Sequence, residues 1–183
     1  MKKFLIVAGI IAVLLVGIRW AVIKYTKRNS PEINTTFTEG NLQIRVFYNS
    51  PSKKGREIFG NLVPFDSVWR TGANEATIFE TNKDLLIQNK ILKAGKYSLW
   101  TIPNPNDWKI LFNSETGQWG IDFNGLANRD PQNDVLVAQV SSVNQDKVID
   151  DFTISVEKMD EEIQLILMWD KTIVSLPMAV TSR

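Results

Sequence analysis

The sequence predicts an all-β domain, an antiparallel β-sandwich with a barrel as the second choice, preceded by one N-terminal transmembrane helix. After residue 30, apolar and polar residues alternate with a period of two in roughly nine or ten short segments. Turn-forming residues separate these segments at intervals of about 8–12 residues, which is typical of sandwiches and barrels. No later window keeps a 3.6-residue period. We therefore divide the chain into an anchor with its tether, residues 1–30, and an all-β domain, residues 31–183.

The N-terminal segment is long and apolar enough to cross a membrane. Phe4–Ile18 has no polar side chain, and apolar residues resume after Arg19, so the stretch runs from Phe4 to Ile23. At about 1.5 Å per residue it makes a helix of ~30 Å, the thickness of the hydrocarbon core. We expect Trp20 and Tyr25 to lie in the interfacial aromatic belt.

A cleaved signal peptide is the alternative interpretation of this segment, because it also has a charged start and an apolar core. The residues that follow the apolar core include Trp20, Ile23 and Tyr25, and no A-x-A-like site lies among them. Such bulky side chains fit a signal-peptidase site poorly. An uncleaved, single-pass anchor is therefore the favoured interpretation.

Turn residues place two hairpins in the predicted domain. Thr36–Thr38 and Leu42–Tyr48 flank Gly40-Asn41, a dipeptide typical of tight turns. Leu85–Ile87 and Ile91-Leu92 flank a second polar turn. Both pairs are predicted to be adjacent antiparallel strands.

The rest of the domain is predicted as single strands separated by polar turns. Asp150-Asp151 and Asp160–Glu162 are predicted to be solvated turns. The remaining predicted strands are Ala76–Glu80, Lys96–Ile102, Trp108–Phe112, Val135–Val140, Phe152–Val156, Ile163–Trp169 and Thr172–Leu176.

Charge and composition exclude several classes of function. Six of the 21 basic residues and none of the 20 acidic residues precede Pro31, so the remainder has a net charge of −5. An acidic domain is a poor partner for nucleic acid. The absence of cysteine and histidine excludes thiol nucleophiles, Ser-His-Asp triads, disulfides and the usual zinc sites. We expect no metal and no cofactor.

The candidate binding residues lie in two long connections, residues 48–64 and 68–77, and in one later turn. Binding residues are often placed in such connections on a rigid scaffold, and arginine and amide groups recognise carboxylates and hydroxyls. Trp119 lies in a glycine-containing turn and is the candidate for an exposed aromatic platform. The candidates are Arg56, Trp69, Arg70, Asn74, Glu75 and Trp119.

The same residues have a structural interpretation. Arg70 and Glu75 can form a buried ion pair that fixes the connection, and Arg56 can pair with another acid, because an unpaired buried charge is costly. Trp119 can pack in the core. Trp169 ends an alternating segment and is expected to be a core residue.

Several motifs of the predicted domain resemble a known family. The most specific is Trp69–Thr77. The others are Gly55-Arg56, Ile58-Phe59-Gly60, Leu62-Val63-Pro64, Ala94–Leu99, Gln118-Trp119-Gly120 and Trp169–Thr172. Together these motifs, which fall between Phe37 and Pro177, resemble the DUF2911 family.

The resemblance implies a domain of unknown function, typical of Bacteroidetes, that usually carries an export signal or a membrane segment. It favours a domain that faces the periplasm. The positive-inside rule alone gives no orientation, because basic residues flank both ends of the apolar stretch. Members often have Tyr-Ser-Arg-Pro where this chain has Tyr48–Pro51, so an arginine is absent at Ser50. No catalytic assignment follows from the resemblance.

Three functions stay open from the sequence. The leading hypothesis is a membrane-anchored, extracytoplasmic sandwich that binds a small molecule, glycan, peptide or envelope protein. The second is a carboxylate-dependent hydrolase that uses Glu75; a glycosidase needs two carboxylates ~5–10 Å apart, and no second acid stands out. The third is a structural or assembly module without a small ligand.

Overall fold

A computed structural model describes residues 2–181. In these residues one long helix, α1 (Lys2–Asn29), precedes nine strands. A short 3-10 helix, Pro131–Asn133, lies just before the eighth strand. The strands are β1 (Glu32–Glu39), β2 (Leu42–Asn49), β3 (Thr77–Thr81), β4 (Leu85–Ile87), β5 (Lys90–Leu92), β6 (Gly95–Ile102), β7 (Asp107–Asn113), β8 (Asp134–Met159) and β9 (Glu162–Val180).

The strands form one antiparallel sheet in the order β1-β2-β3-β6-β7-β8-β9-β4-β5. Within the described residues β1 and β5 do not pair with each other, so the sheet is open and a closed barrel is excluded. The all-β prediction is confirmed. The architecture is an open or sandwich-like antiparallel sheet.

Both predicted hairpins are present, and their turns have the expected backbone conformation. β1 pairs with β2 from Glu39↔Leu42 onward, and Gly40 has a φ of 57°. β4 pairs with β5, and the turn residues Gln88 and Asn89 have φ values of 47° and 64°. Positive φ at the centre of a two-residue turn matches the right-handed twist of the strands it joins.

The prediction of separate short strands was wrong for the last third of the chain. Val135–Val140 and Phe152–Val156 belong to the single strand β8, and Ile163–Trp169 and Thr172–Leu176 belong to β9. The pairing of β8 with β9 shifts register twice, around Ile149. Such bulges bend a strand and break its alternation without ending it, so the sequence pattern resembles a turn.

Asp150-Asp151 therefore lie inside β8, and the prediction of a solvated turn there was wrong. The Asp150 carbonyl accepts hydrogen bonds from Lys53 N (2.6 Å) and from Trp169 Nε1 (2.9 Å). The Asp151 carboxylate accepts one from Ser52 Oγ. The bulge thus fixes the connection after β2 onto the sheet. Asp160, by contrast, lies in the predicted β8–β9 turn with a φ of 55°.

The main core lies on one face of the sheet and receives side chains from every strand. In β2 the burial alternates: Leu42, Ile44 and Val46 are buried, whereas Arg45 on the other face is exposed. Each fully buried large apolar side chain contributes ~1.5–3 kcal/mol relative to an exposed one. Trp169 belongs to this core, as predicted.

A smaller apolar cluster covers the opposite face of β6 and β7. Trp100 and Leu111 are buried there together with Ala76, and Val68 and Ala127 pack against them. Adjacent strand residues point to opposite faces, which allows one sheet to support both clusters. The second cluster anchors the connections 50–76 and 114–133, which carry most of the candidate residues.

α1 projects from the domain with little contact along its length. It is the one helix in residues 2–181 that is long and apolar enough to cross a membrane, and none of its apolar window is buried in the protein. A signal sequence would satisfy the same test. At the end of α1, Ser30 N donates to Thr26 O (3.2 Å) and Ser50 N donates to Pro31 O (2.9 Å), which joins the helix end to β2.

Candidate functional site

The main candidate site is a cavity of about 570 Å³ between the end of α1 and the connections on the second face of the sheet. We call it the helix-end cavity. Its wall includes Ser30 at the end of α1 and Trp169 from β9. Arg56 and Arg70 from the connection 50–76 and Gly120 from the connection 114–133 also line it. Ser30 is only 8 % exposed, because the domain closes over the helix terminus.

The charged side chains that line the helix-end cavity are all basic. Its lining includes Lys54, Arg56 and Arg70, and no carboxylate lies among the described lining residues. Much of the remaining wall is apolar, with Trp69 and Val63 among its members. Such a cavity suits a ligand that combines an anionic group with an apolar body.

Arg70 is the most constrained of these basic residues. Its carbonyl accepts a hydrogen bond from Thr77 N (3.2 Å), and its aliphatic stem lies directly beneath Gly120. A Cβ atom placed on Gly120 would lie 2.4 Å from Arg70 Cδ, so only glycine fits there. The loop that contains Gly120 therefore holds the Arg70 side chain in place.

The Arg70 guanidinium keeps an unused donor. Its Nη1 atom is buried and has no hydrogen-bond partner among the described residues. Burial lowers the pKa of Arg70 from its ordinary value, although the negative charge of Glu75 opposes this shift. Arginine stays protonated in proteins, so this residue of the cavity lining has a desolvated positive charge and an N–H without a partner. An anion bound to this guanidinium would neutralise its charge and accept a hydrogen bond from its N–H.

Arg56 has a different environment. It is exposed, and its guanidinium donates to two carbonyls, from Nε to Lys53 O (3.0 Å) and from Nη2 to Ser52 O (2.5 Å). The prediction that Arg56 pairs with an acid was wrong: within residues 2–181 its partners are carbonyl oxygens. Lys53 makes the ion pair instead, with Asp170 Oδ2 at 2.6 Å. Arg56 shapes its own loop while adding charge to the cavity.

Trp69 provides a rigid apolar wall. Its ring stacks on Trp169 with centroids 5.9 Å apart, and it meets the edge of Phe152 at 4.9 Å. Its Nε1 donates to Gly72 O (3.0 Å), and its backbone exchanges two hydrogen bonds with Thr101. These contacts leave Trp69 half-buried, with part of its surface at the cavity.

Asn74 and Glu75 lie outside the helix-end cavity and form a polar chain. Asn74 Nδ2 donates to Asn49 Oδ1 (3.2 Å), and Asn49 Nδ2 donates to Glu75 Oε2 (3.0 Å). Glu75 Oε1 then pairs with Lys27 Nζ at 2.9 Å. Glu75 also borders a separate cavity of about 400 Å³.

The predicted Arg70–Glu75 ion pair is absent among residues 2–181, where the partner of Glu75 is Lys27 of α1. Burial acts to raise the pKa of Glu75. The hydrogen bonds from Lys27, from its own backbone and from Asn49 outweigh burial, so that pKa lies below its ordinary value. Sequence reasoning missed Lys27 because it assigned that residue to the membrane anchor.

Trp119 is 37 % exposed and does not line the helix-end cavity. It begins a loop in which Phe123 is fully exposed and Leu126 is 67 % exposed. Sequence reasoning missed these two residues, although two apolar side chains in a glycine- and asparagine-rich loop were a readable signal. Among the described residues no group of three or more carboxylates could hold a metal ion.

Ser50, the position at which the resemblance implied an arginine, is buried, and its Oγ donates to Phe152 O (2.7 Å). This hydrogen bond attaches the connection that follows β2 to strand β8.

Comparison with known families gives one match. A family model described as a protein of unknown function, DUF2911, matches residues 30–178, which begin at the end of α1 and include every strand except the end of β9. Searches of curated proteins and of solved structures found no match. The match covers most of the chain, and the chain therefore belongs to the DUF2911 family.

Proposed function

We propose that this chain is a membrane-anchored binding protein whose helix-end cavity takes a ligand with a carboxylate or phosphate group. The ligand is a small molecule, an acidic glycan or an envelope component that presents such a group, and the domain faces the periplasm. The observation that carries this proposal is that the charged residues lining this cavity are all basic and that one of them, Arg70, has a buried Nη1 without a hydrogen-bond partner among the described residues.

The energetics favour an anion in this cavity. A hydrogen bond to a charged group contributes ~1.5–3 kcal/mol, and a buried donor without a partner is unfavourable by a comparable amount. A carboxylate or phosphate can accept from a guanidinium through two parallel hydrogen bonds. Trp69 and Val63 in the wall would contact the uncharged part of the ligand.

Binding is favoured over hydrolysis by the position and charge of Glu75. A general acid needs a raised pKa, whereas the Lys27 and Asn49 contacts hold the pKa of Glu75 low. Glu75 also lies outside the cavity that contains Arg70. Its contacts connect the helix end to the domain, which supports a role in positioning these two parts.

Retention of α1 as an anchor is supported by its contacts with the domain. Lys27 pairs with Glu75 across the junction, and Lys54 Nζ donates to Asn29 Oδ1 (3.1 Å). Cleavage after Ile23 would keep Lys27 but would separate it from the helix that holds it beside Glu75. These contacts favour an uncleaved helix over a signal peptide.

The proposal is tested by thermal unfolding of the full chain in detergent with sugar acids, organic phosphates, uncharged sugars and peptides. A ligand at ~100 times its dissociation constant stabilises the fold by ~2.7 kcal/mol. We expect anionic compounds to raise the midpoint and uncharged analogues to have no effect. A response limited to uncharged compounds, or the lack of any response, would contradict the proposal.

The assignment of Arg70 is tested with Arg70→Gln and with Arg45→Gln as the matched control. Arg45 is an exposed residue of β2 that does not line the helix-end cavity. Removing one charged hydrogen bond should weaken anion binding ~10- to 100-fold in Arg70→Gln. Arg45→Gln should bind as the wild type does. Equal binding by the two variants would exclude Arg70 from the site.

A further inference from the structure

The loop beside the helix-end cavity has an unusual composition for a solvent-facing turn. Trp119, Phe123 and Leu126 are all exposed within eight residues. Single exposed apolar side chains are common on protein surfaces, but three within one short loop call for an explanation. We call these three residues the apolar rim.

The loop is built to present Phe123 at its tip. At its base Ile121 forms a bridge with Ala127, and both residues line the helix-end cavity. The Asp122 carboxylate accepts hydrogen bonds from Asn124 N (2.8 Å) and Leu126 N (2.9 Å). Asp122 N also donates to Leu126 O (2.8 Å). These bonds close the turn and satisfy the one acid in it, so Phe123 projects from an ordered loop.

The loop that carries the apolar rim and the end of α1 border the same cavity. Asn29 and Ser30 form part of its wall, and Gly120, Ile121 and Gly125 form another part. Both features therefore lie at one end of the domain.

The position of α1 sets the distance of this end from a bilayer. The apolar stretch ends at Ile23, six residues before Asn29, which is ~9 Å along a helix. The headgroup layer on each side of the hydrocarbon core is ~5–8 Å thick. Asn29 then lies close to the outer edge of that layer, and a side chain that projects from the neighbouring loop can reach it.

We propose that the apolar rim rests in the interface of the bilayer that α1 spans, as a second membrane contact. Aromatic side chains are favoured at that depth, and a rim that enters it fixes the tilt of the domain on its anchor. The helix-end cavity then opens beside the lipid headgroups. This inference rests on the proposed anchoring by α1 and not on ligand binding in the cavity.

The absence of cysteine allows a clean test on the full chain. Phe123→Cys is labelled with an environment-sensitive fluorophore, and the protein is reconstituted in vesicles of phosphatidylcholine and phosphatidylglycerol. Lipids with a nitroxide near the headgroup and iodide in the water are the two quenchers. Phe123 is fully exposed, so its replacement leaves the core unchanged.

Two further single-cysteine variants provide the controls. Val22→Cys lies in the apolar stretch of α1, and Met159→Cys lies at the end of β8, next to the β8–β9 turn. Lys158 pairs there with Glu39, at the end of β1 remote from α1. Along the eight residues of β1 this places the turn ~20 Å or more from the helix end.

We expect lipid quenching and loss of iodide quenching at positions 22 and 123, with the opposite result at position 159. Quenching by lipid at 22 but by iodide at 123 would overturn the inference while leaving the anchor intact. Iodide quenching at position 22 would instead contradict the anchoring on which it rests. Leu126→Cys repeats the test at a second position of the rim.

Discussion

Replacement of Gly120 by alanine probes the packing that holds Arg70. Gly120 has a φ of 97°, and a Cβ atom there would lie 2.4 Å from Arg70 Cδ and 2.9 Å from Arg70 Cβ. The Cδ atom could rotate away, but the Cβ atom is fixed by the backbone. Gly120→Ala should therefore displace the Arg70 side chain and shift the loop that covers it.

The expected magnitude has two parts. An alanine with positive φ is unfavourable by ~1–2 kcal/mol, and overpacking adds ~1–3 kcal/mol. Gly117→Ala is the matched control, because Gly117 has a φ of 95° and nothing lies within 4 Å of its added Cβ. Gly117→Ala should show only the backbone strain of an alanine with positive φ. The difference between the two variants then reports the contact with Arg70.

The assay is thermal unfolding of both variants of the full chain in detergent. A difference of ~2 kcal/mol corresponds to ~4–8 °C in the midpoint for a protein of this size. We expect Gly120→Ala to unfold below Gly117→Ala by this amount and to bind anions more weakly. Equal midpoints would refute the reasoning, because they would show that Arg70 does not lie against Gly120.

The remaining predictions concern the junction with α1, a buried phenylalanine and an exposed one. Glu75→Gln should lower the free energy of unfolding at neutral pH by ~0.5–1 kcal/mol, since the ion pair with Lys27 is partly exposed. The folded-state pKa of Glu75 is lowered, so its contribution holds above the unfolded-state pKa and is lost as pH falls through the folded-state pKa. Denaturant unfolding against pH checks this, and a difference that persists in acid would contradict it. Phe79→Ala, in the core, should cost ~3–5 kcal/mol in the same assay, whereas Phe123→Ala should change stability by less than about 0.5 kcal/mol. Similar losses in both would show that Phe123 is packed.

The fold was predictable where local chemistry determines it. Gly40 and the Gln88-Asn89 pair determine turns within their own hairpins, so the sequence alone indicates both. The continuity of β8 depends on its register with β9, which is a property of two segments. A bulge near Ile149 interrupts the alternation in the same way as a turn does, and the sequence contains no local feature that separates the two.

In the candidate site, too, the local sequence predicts some features, whereas others depend on distant segments. Arg70 and Trp69 were identified because polar and aromatic residues were concentrated in a long connection. The contacts that define their environment come from distant segments, such as Gly120 above Arg70 and Trp169 beneath Trp69. The pairing of Glu75 with Lys27 joins the domain to a helix that composition assigns to a membrane. Such contacts follow from the folded chain and not from local spacing.

The most direct test of the account is side-chain NMR of the arginine guanidinium groups in the full chain, before and after addition of the best-binding anion. The Arg70 signal is assigned by its loss in Arg70→Lys. We predict that saturation with the anion shifts the Arg70 Nη resonances as a new hydrogen bond forms, while those of Arg45 stay unchanged. An Arg70 signal that does not move under saturating anion would contradict the claim that this residue binds the ligand.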